Sequence, residues 1–255
     1  MPDSRNLDLA KLQPIVDSGP TALFATVSGA HLYGFASADS DVDIRGAFVR
    51  PLDSVLGLGP HQDTWEVSET RDGLEVDWVA HDVSKFITIM TKRNGYALEQ
   101  LYSPLVVHGG PWLEELRDLG QKCIVRQVYY HYRGFYHNQH KQITAGAVTA
   151  KAVLYAYRVL LSGIHLLKTG RVEAHLPSLL ESAPHSDVQA LLQMKIEGEE
   201  KGPLEDALVR LHLSTLEELE QQLDAAFGAS QLPESVENIP ALSEYIVRAR
   251  KTLGV

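Results

Sequence analysis

Asp41 and Asp43 stand one residue apart in a run, Asp41 to Val49, whose composition suits a β-strand. Strand side chains alternate with period two, so the two carboxylates point to one face. Like charges held that close resist ionising together. A divalent cation removes the conflict, and hard oxygen ligands suit magnesium. A third acid would complete a set. The run Leu74 to Ala80 alternates as a strand, and Asp77 between Val76 and Trp78 faces away from those apolar neighbours. Glu75 shares that face and is its rival. Two carboxylates serving two ions, with a third serving one, suit two-metal phosphoryl or nucleotidyl transfer. One ion would hold a triphosphate and its leaving group, and the other would activate a hydroxyl whose proton a carboxylate takes. An isolated Asp-x-Asp is more often a solvated or capping pair, so the surrounding elements decide.

Those elements can be read in order. Leu7 to Val16 suits a lead-in helix, ended by Asp17-Ser18-Gly19-Pro20. Thr21 to Val27 is apolar and partly β-branched, which predicts a buried strand ending at Gly29. Ala30 to Tyr33 then makes one or two helical turns whose amides can meet an anion. Asp39-Ser40 is a turn, and Arg50-Pro51-Leu52-Asp53 stops the second strand. Residues 53–73, with Gly57, Gly59 and Pro60, suit a loop. After the third strand, Asp82 can cap a helix from Val83 to Arg93, which Asn94-Gly95 would end. A short helix from Tyr96 to Tyr102 carries Glu99. Pro104 and Gly109-Gly110-Pro111 form a seam. Beyond it helical periodicity dominates, near 112–137, 145–169, 176–181, 186–201, 204–227 and 238–252, with breaks at Gly170, Pro184, Gly202-Pro203, Gly228 and Pro240. The fold class is α+β: a catalytic domain over 1–110 with a small mixed sheet, then an all-helical bundle over 111–255, with the active site expected in the cleft between them.

Composition narrows the function classes. At 255 residues the chain can bury a sizeable core. A net charge of -10 argues against a protein that coats itself with nucleic acid, so a polyanion must be met by a local basic patch or through metal ions. One cysteine, Cys123, excludes an intramolecular disulfide and a cysteine zinc cluster, and fits a reducing cytoplasm. No apolar run of 18 residues suggests a membrane span, and Met1-Pro2-Asp3-Ser4-Arg5 does not open a signal peptide.

The run Gly29-Ala30-His31-Leu32-Tyr33-Gly34, then Ser40-Asp41-Val42-Asp43-Ile44-Arg45-Gly46, closely resembles the nucleotidyltransferase signature of the DNA polymerase beta-like superfamily. Eleven residues, Ala30 to Ser40, separate Gly29 from Asp41. The wording is most similar to the RNA-repair-associated, RlaP-type branch, and the resemblance continues through Asp77, residues 94–101, Lys151, Arg158 and Gly163. It implies a magnesium-dependent enzyme of the EC 2.7.7 type, with two ions and manganese as the alternative. Asp41, Asp43 and Asp77 would be the catalytic and metal-holding carboxylates. Ser28, Gly29, Ala30, Tyr33, Ser40, Lys151 and Arg158 would bind the nucleotide. The partners implied are an NTP such as ATP and an RNA or tRNA 3′ end, with no membrane. A protein hydroxyl acceptor and an inactive nucleotide- or RNA-binding module are the alternatives. One departure stands out. Relatives usually carry Ser or Gly where this chain has Ala30, which removes one hydroxyl contact to phosphate, roughly 1 kcal/mol.

Two further groupings complete the reading. Lys151, Tyr155 and Arg158 fall on one helical stripe, a cationic face for phosphates or a solvated one, with Lys141 and Lys168 adding charge. The run Arg126 to Lys141 interleaves aromatics with cations, as base-stacking surfaces do. Tyr129 and Tyr136 are expected in the helical core, with Tyr132 and His137 open. His137 and His140 lack a third metal ligand of clear spacing, and Arg126-x4-His131 is too short a ribonuclease pattern to carry weight. No P-loop, dinucleotide fingerprint or nucleophile elbow occurs. Cys123 suits a buried position.

Overall fold

The computed structural model describes residues 7–58, 62–71, 73–146, 148–183, 185–197 and 202–254. Gly59, Pro60, Pro184, residues 198–201 and the Met1 to Arg5 run lie outside the described residues. The chain forms two compact units. The first comprises Met1–Leu32, Asp41–Ile124 and Ser235–Val255, the second Tyr33–Ser40 and Val125–Glu234. The first unit thus takes in residues on both sides of the seam read at Gly109-Gly110-Pro111.

The first unit is built on a five-stranded mixed sheet, in the order β3-β4-β2-β1-β5. Its strands are β1 (Ala22–Val27), β2 (Val42–Phe48), β3 (Thr64–Arg71), β4 (Leu74–Asp82) and β5 (Val106–His108). Helices α1 (Gln13–Asp17), α2 (Gly29–Tyr33), α3 (Leu52–Leu56), α4 (Val83–Thr91), α5 (Gly95–Tyr102) and α6 (Pro111–Gln121) lie before, between and after the strands. The expected lead-in helix is a 3-10 turn, Leu9–Lys11, followed by α1. β1 pairs antiparallel with β2 and β5, β2 pairs parallel with β4, and β3 pairs antiparallel with β4.

The alternation read from sequence holds in β2 and β4. Val42, Ile44, Val76, Trp78 and Ala80 enter one buried cluster with Leu12, Ile15 and Val16. Asp43, Arg45 and Asp77 therefore fall on the other face. Gly46 is required where β1 and β2 meet, because a Cβ there would fall 2.1 Å from the Phe24 carbonyl oxygen.

Three local readings are corrected. Residues 64–71, expected as loop, form β3. It is an edge strand whose outer face is polar, with Glu66, Ser68 and Thr70, while Trp65 and Val67 pack on the core, so its apolar signal is sparse. β5 has three residues, too few for a period to show. Asn94 caps the start of α5, accepting the Ala97 N–H at 3.1 Å, whereas α4 already ends at Thr91.

The second unit is helical: α7 (Tyr129–Thr144), α8 (Ala150–Thr169), α9 (Leu176–Ser182), α10 (Ser186–Ile196) and α11 (Asp206–Ala229). The last helix, α12 (Ile239–Leu253), belongs to the first unit. The helix read over 112–137 is interrupted after α6, where Val125 is extended and the Arg126 N–H donates to the Pro233 carbonyl. α8 is the one helix among the described residues long and apolar enough to cross a membrane. Its apolar window is 78% buried inside the protein, as befits the core helix of this unit.

Candidate active site

β1 ends at Val27, and the chain turns at Ser28 and Gly29 into α2. The Ser28 N–H donates to the Asp43 carbonyl at 2.8 Å, which ties the turn to the start of β2. Gly29 adopts φ +60, and a Cβ there would fall 1.9 Å from Asp43 Oδ2. The Asp43 carboxylate therefore lies over the bare glycine backbone. That closeness needs both the left-handed conformation and the missing side chain. Gly29→Ala is expected to cost about 1–2 kcal/mol from the backbone alone. It must also push Asp43 aside. Thermal unfolding measures both, since a loss beyond about 2 kcal/mol exceeds the backbone strain and reports the displaced carboxylate.

In the parallel β2–β4 register Asp43 lies directly beside Asp77. Arg45 joins them: its Nη2 donates to Asp43 Oδ1 at 2.6 Å and to Asp77 Oδ2 at 3.0 Å. Its Nη1 donates to the Ile44 and Asp77 carbonyls at 2.8 and 2.7 Å. Burial alone would depress the Arg45 guanidinium, but Tyr96, Asp43 and Asp77 outweigh it and raise its pKa. The other Asp77 oxygen, Oδ1, accepts from Ser68 Oγ on β3 at 2.7 Å. Asp41 is exposed just before β2. With Ser68, Glu69, Thr70, Glu75, Val76 and Asp77 it lines a hollow of about 360 Å³. Arg45 also lines a smaller cavity of about 160 Å³, bounded by His81, Asn94, Tyr96 and Gln100.

Asp77 shares Arg45 with Asp43, while Glu75 is exposed at the start of β4 and lines the same hollow as Asp41 and Asp77. Ser28 is fully buried and its Oγ has no hydrogen-bond partner among the described residues. Ala30 is half-buried. Sequence reasoning missed Arg45 and Ser68 as members of this group. Arg45 alternates with Asp43 on one strand and so was findable, whereas Ser68 sits on the strand read as loop.

The remaining expected site residues belong to the second unit. Tyr33 is buried, and the Arg158 guanidinium lies 4.0 Å from its ring centroid, with Tyr155 edge-on at 5.7 Å. Arg158 is only 3% exposed, so this cluster is packing, not an open cationic stripe. Lys151 is exposed at the start of α8. The Ser40 hydroxyl accepts the Ser37 N–H at 2.9 Å, and Lys195, another residue the sequence reading passed over, donates to Ser37 Oγ at 3.0 Å. In the aromatic run, Tyr129, Tyr132 and Tyr136 are buried. Arg126 pairs with Glu234, Arg133 with Glu220 and Asp224, and His137 with Glu220. Acids thus sit beside Arg126 and Arg133, two of the cations that suggested a base-stacking face. Among the described residues no three His, Cys, Asp or Glu are gathered so as to hold a metal by themselves.

Comparison with known proteins decides the family. The model of the RlaP family, described as the RNA repair pathway DNA polymerase beta family, matches residues 5–248. The chain belongs to the RlaP family. Membership supports a nucleotidyltransferase-type role in an RNA repair pathway. It is 25% identical over 229 residues to protein MJ0002 of Methanocaldococcus jannaschii, covering 88% of this chain and 93% of that one. It is 27% identical over 218 residues to YcgL of Bacillus subtilis, covering 82% of each. A nucleotidyltransferase-like protein from Exiguobacterium sibiricum covers 94% of this RlaP chain and 73% of its own, at 11% identity and a TM-score of 0.31, too distant to argue from.

Proposed function

We propose that this RlaP-family chain transfers a nucleoside monophosphate from a nucleoside triphosphate to the 3′ hydroxyl of an RNA, tRNA included. The acceptor oxygen bonds to the α-phosphorus, the α–β phosphoanhydride bond breaks, and pyrophosphate leaves. The hydroxyl proton goes to Asp77. The observation that carries this reading is the placement of Asp43 beside Asp77, with Asp43 lying over the bare Gly29 backbone.

Magnesium fits the donor set. It takes hard oxygens and is commonly held by one or two carboxylates, with substrate phosphates completing its shell. Asp41 and Asp43 would hold it, with Asp77 the third carboxylate, and manganese is the alternative ion. When bound, the metal supplies positive charge at the triphosphate and acidifies the attacking hydroxyl. The Gly29 and Ala30 amides are offered for the phosphates.

The test is incubation of purified protein with labelled NTPs, RNA carrying a free 3′ hydroxyl, and magnesium. Label should enter RNA with release of pyrophosphate, and EDTA or Asp41→Ala should abolish it. Equal labelling by wild type and Asp41→Ala would sink the proposal. Label on protein instead of RNA would redirect the acceptor to a protein hydroxyl.

A further inference from the structure

Arg45 occupies a position that a simple surface counter-ion would not. Its side chain is only 15% exposed. Nη1 is anchored to two main-chain carbonyls, those of Ile44 and Asp77. With that end fixed, Nη2 reaches one oxygen of each carboxylate, Asp43 Oδ1 and Asp77 Oδ2. Tyr96 lines one cavity together with the same side chain. The planar fork of arginine can serve several acceptors in fixed directions, which an ammonium cannot reproduce.

The consequence is a division of oxygens. Asp43 gives Oδ1 to Arg45 and turns Oδ2 toward the Gly29 backbone. Asp77 gives Oδ2 to Arg45 and Oδ1 to Ser68. Partners behind a carboxylate fix its orientation, and losing them costs about 10- to 100-fold in metal affinity or activity at metal sites. We infer that Arg45 is a positioning residue that fixes the orientation in which the Asp43 and Asp77 carboxylates meet metal and substrate. This inference rests on the nucleotidyltransferase reading above. It assigns Arg45 a role distinct from charge balance: a main-chain-anchored guanidinium orients the pair, whereas a loose cation would only offset their repulsion.

The experiment compares wild type, Arg45→Lys and Arg45→Met. Manganese binding to the nucleotide-free protein is followed by electron paramagnetic resonance, beside thermal unfolding and steady-state transfer kinetics. Arg45→Lys keeps the charge and guards against a variant that merely fails to fold. Arg45→Lys should weaken manganese binding about tenfold or more. It should lower kcat with little change in the KM for NTP, and should unfold cooperatively near the wild-type temperature. Arg45→Met should lose manganese binding at least as severely. Wild-type affinity and kcat in Arg45→Lys would overturn the inference, since charge alone would then suffice. Tighter manganese binding by Arg45→Met would also overturn it, since Arg45 would then be a competitor for the site. A wild type that neither binds manganese nor transfers nucleotide would overturn the nucleotidyltransferase reading itself, and this inference with it.

Discussion

Asp43→Asn is expected to lower the proposed nucleotide transfer by on the order of 10²- to 10³-fold, as losing one well-placed charge-stabilising group does elsewhere. The substitution removes a negative charge and keeps the shape. The Ser28 N–H still meets the residue 43 carbonyl, so the turn after β1 remains tied to β2. The side-chain oxygen can still accept from Arg45, and Ile44 and Val42 on the buried face are untouched. Stability should therefore change little while kcat collapses. The loss should appear in kcat and kcat/KM together, the pattern of an interaction made in the transition state. Initial rates with saturating NTP and RNA, beside thermal unfolding, check it. Transfer within a few-fold of wild type would remove Asp43 from the reaction.

The largest stability effect is expected far from the carboxylate pair. Asp82 is 1% exposed and faces two arginines. Arg250 on α12 donates to both its oxygens, at 2.6 and 3.1 Å, and Arg50 Nε donates at 3.2 Å. Asp82 also accepts the Ser84 N–H at 3.1 Å, capping α4. Truncation to alanine strands buried guanidinium charge and removes the cap. Breaking a buried pair by removing one partner costs about 3–5 kcal/mol. For a chain of this size each 1 kcal/mol shifts the midpoint by about 2–4 °C, so Asp82→Ala should lower it by roughly 10 °C. Asp82→Asn keeps the cap and should fall between.

The pH dependence of the same site has a definite sign. Burial pushes the Asp82 carboxyl up, but the Arg250 hydrogen bond and charge, the Ser84 amide and Arg50 hold it below its ordinary value. A group depressed in the folded state contributes stability that is complete above its unfolded pKa, about 3.9 for Asp. That contribution is lost as pH falls through the lower folded value. The stability gap between wild type and Asp82→Asn should be constant near neutrality and close below about pH 4. Urea midpoints across that range measure it, and a gap unchanged at pH 3 would contradict the assignment.

What the sequence determined by itself follows from period and local chemistry. The spacing of Asp41 and Asp43, the glycine after β1, and the alternation placing Asp77 opposite Val76 and Trp78 are one-dimensional facts with direct geometric consequences. The helical half was legible for the same reason, because long amphipathic segments announce their period. The tertiary structure decided what depends on which strands are neighbours. The parallel pairing of β2 with β4 places Asp77, and not Glu75, beside Asp43 through Arg45, and no spacing within one strand encodes that pairing. β3 was hidden because an edge strand keeps one polar face, yet it supplies Ser68 to Asp77. Arg158 looked like an open cation on a stripe, but whether a helix face meets solvent or a ring such as Tyr33 is set by packing, which charge and spacing do not carry.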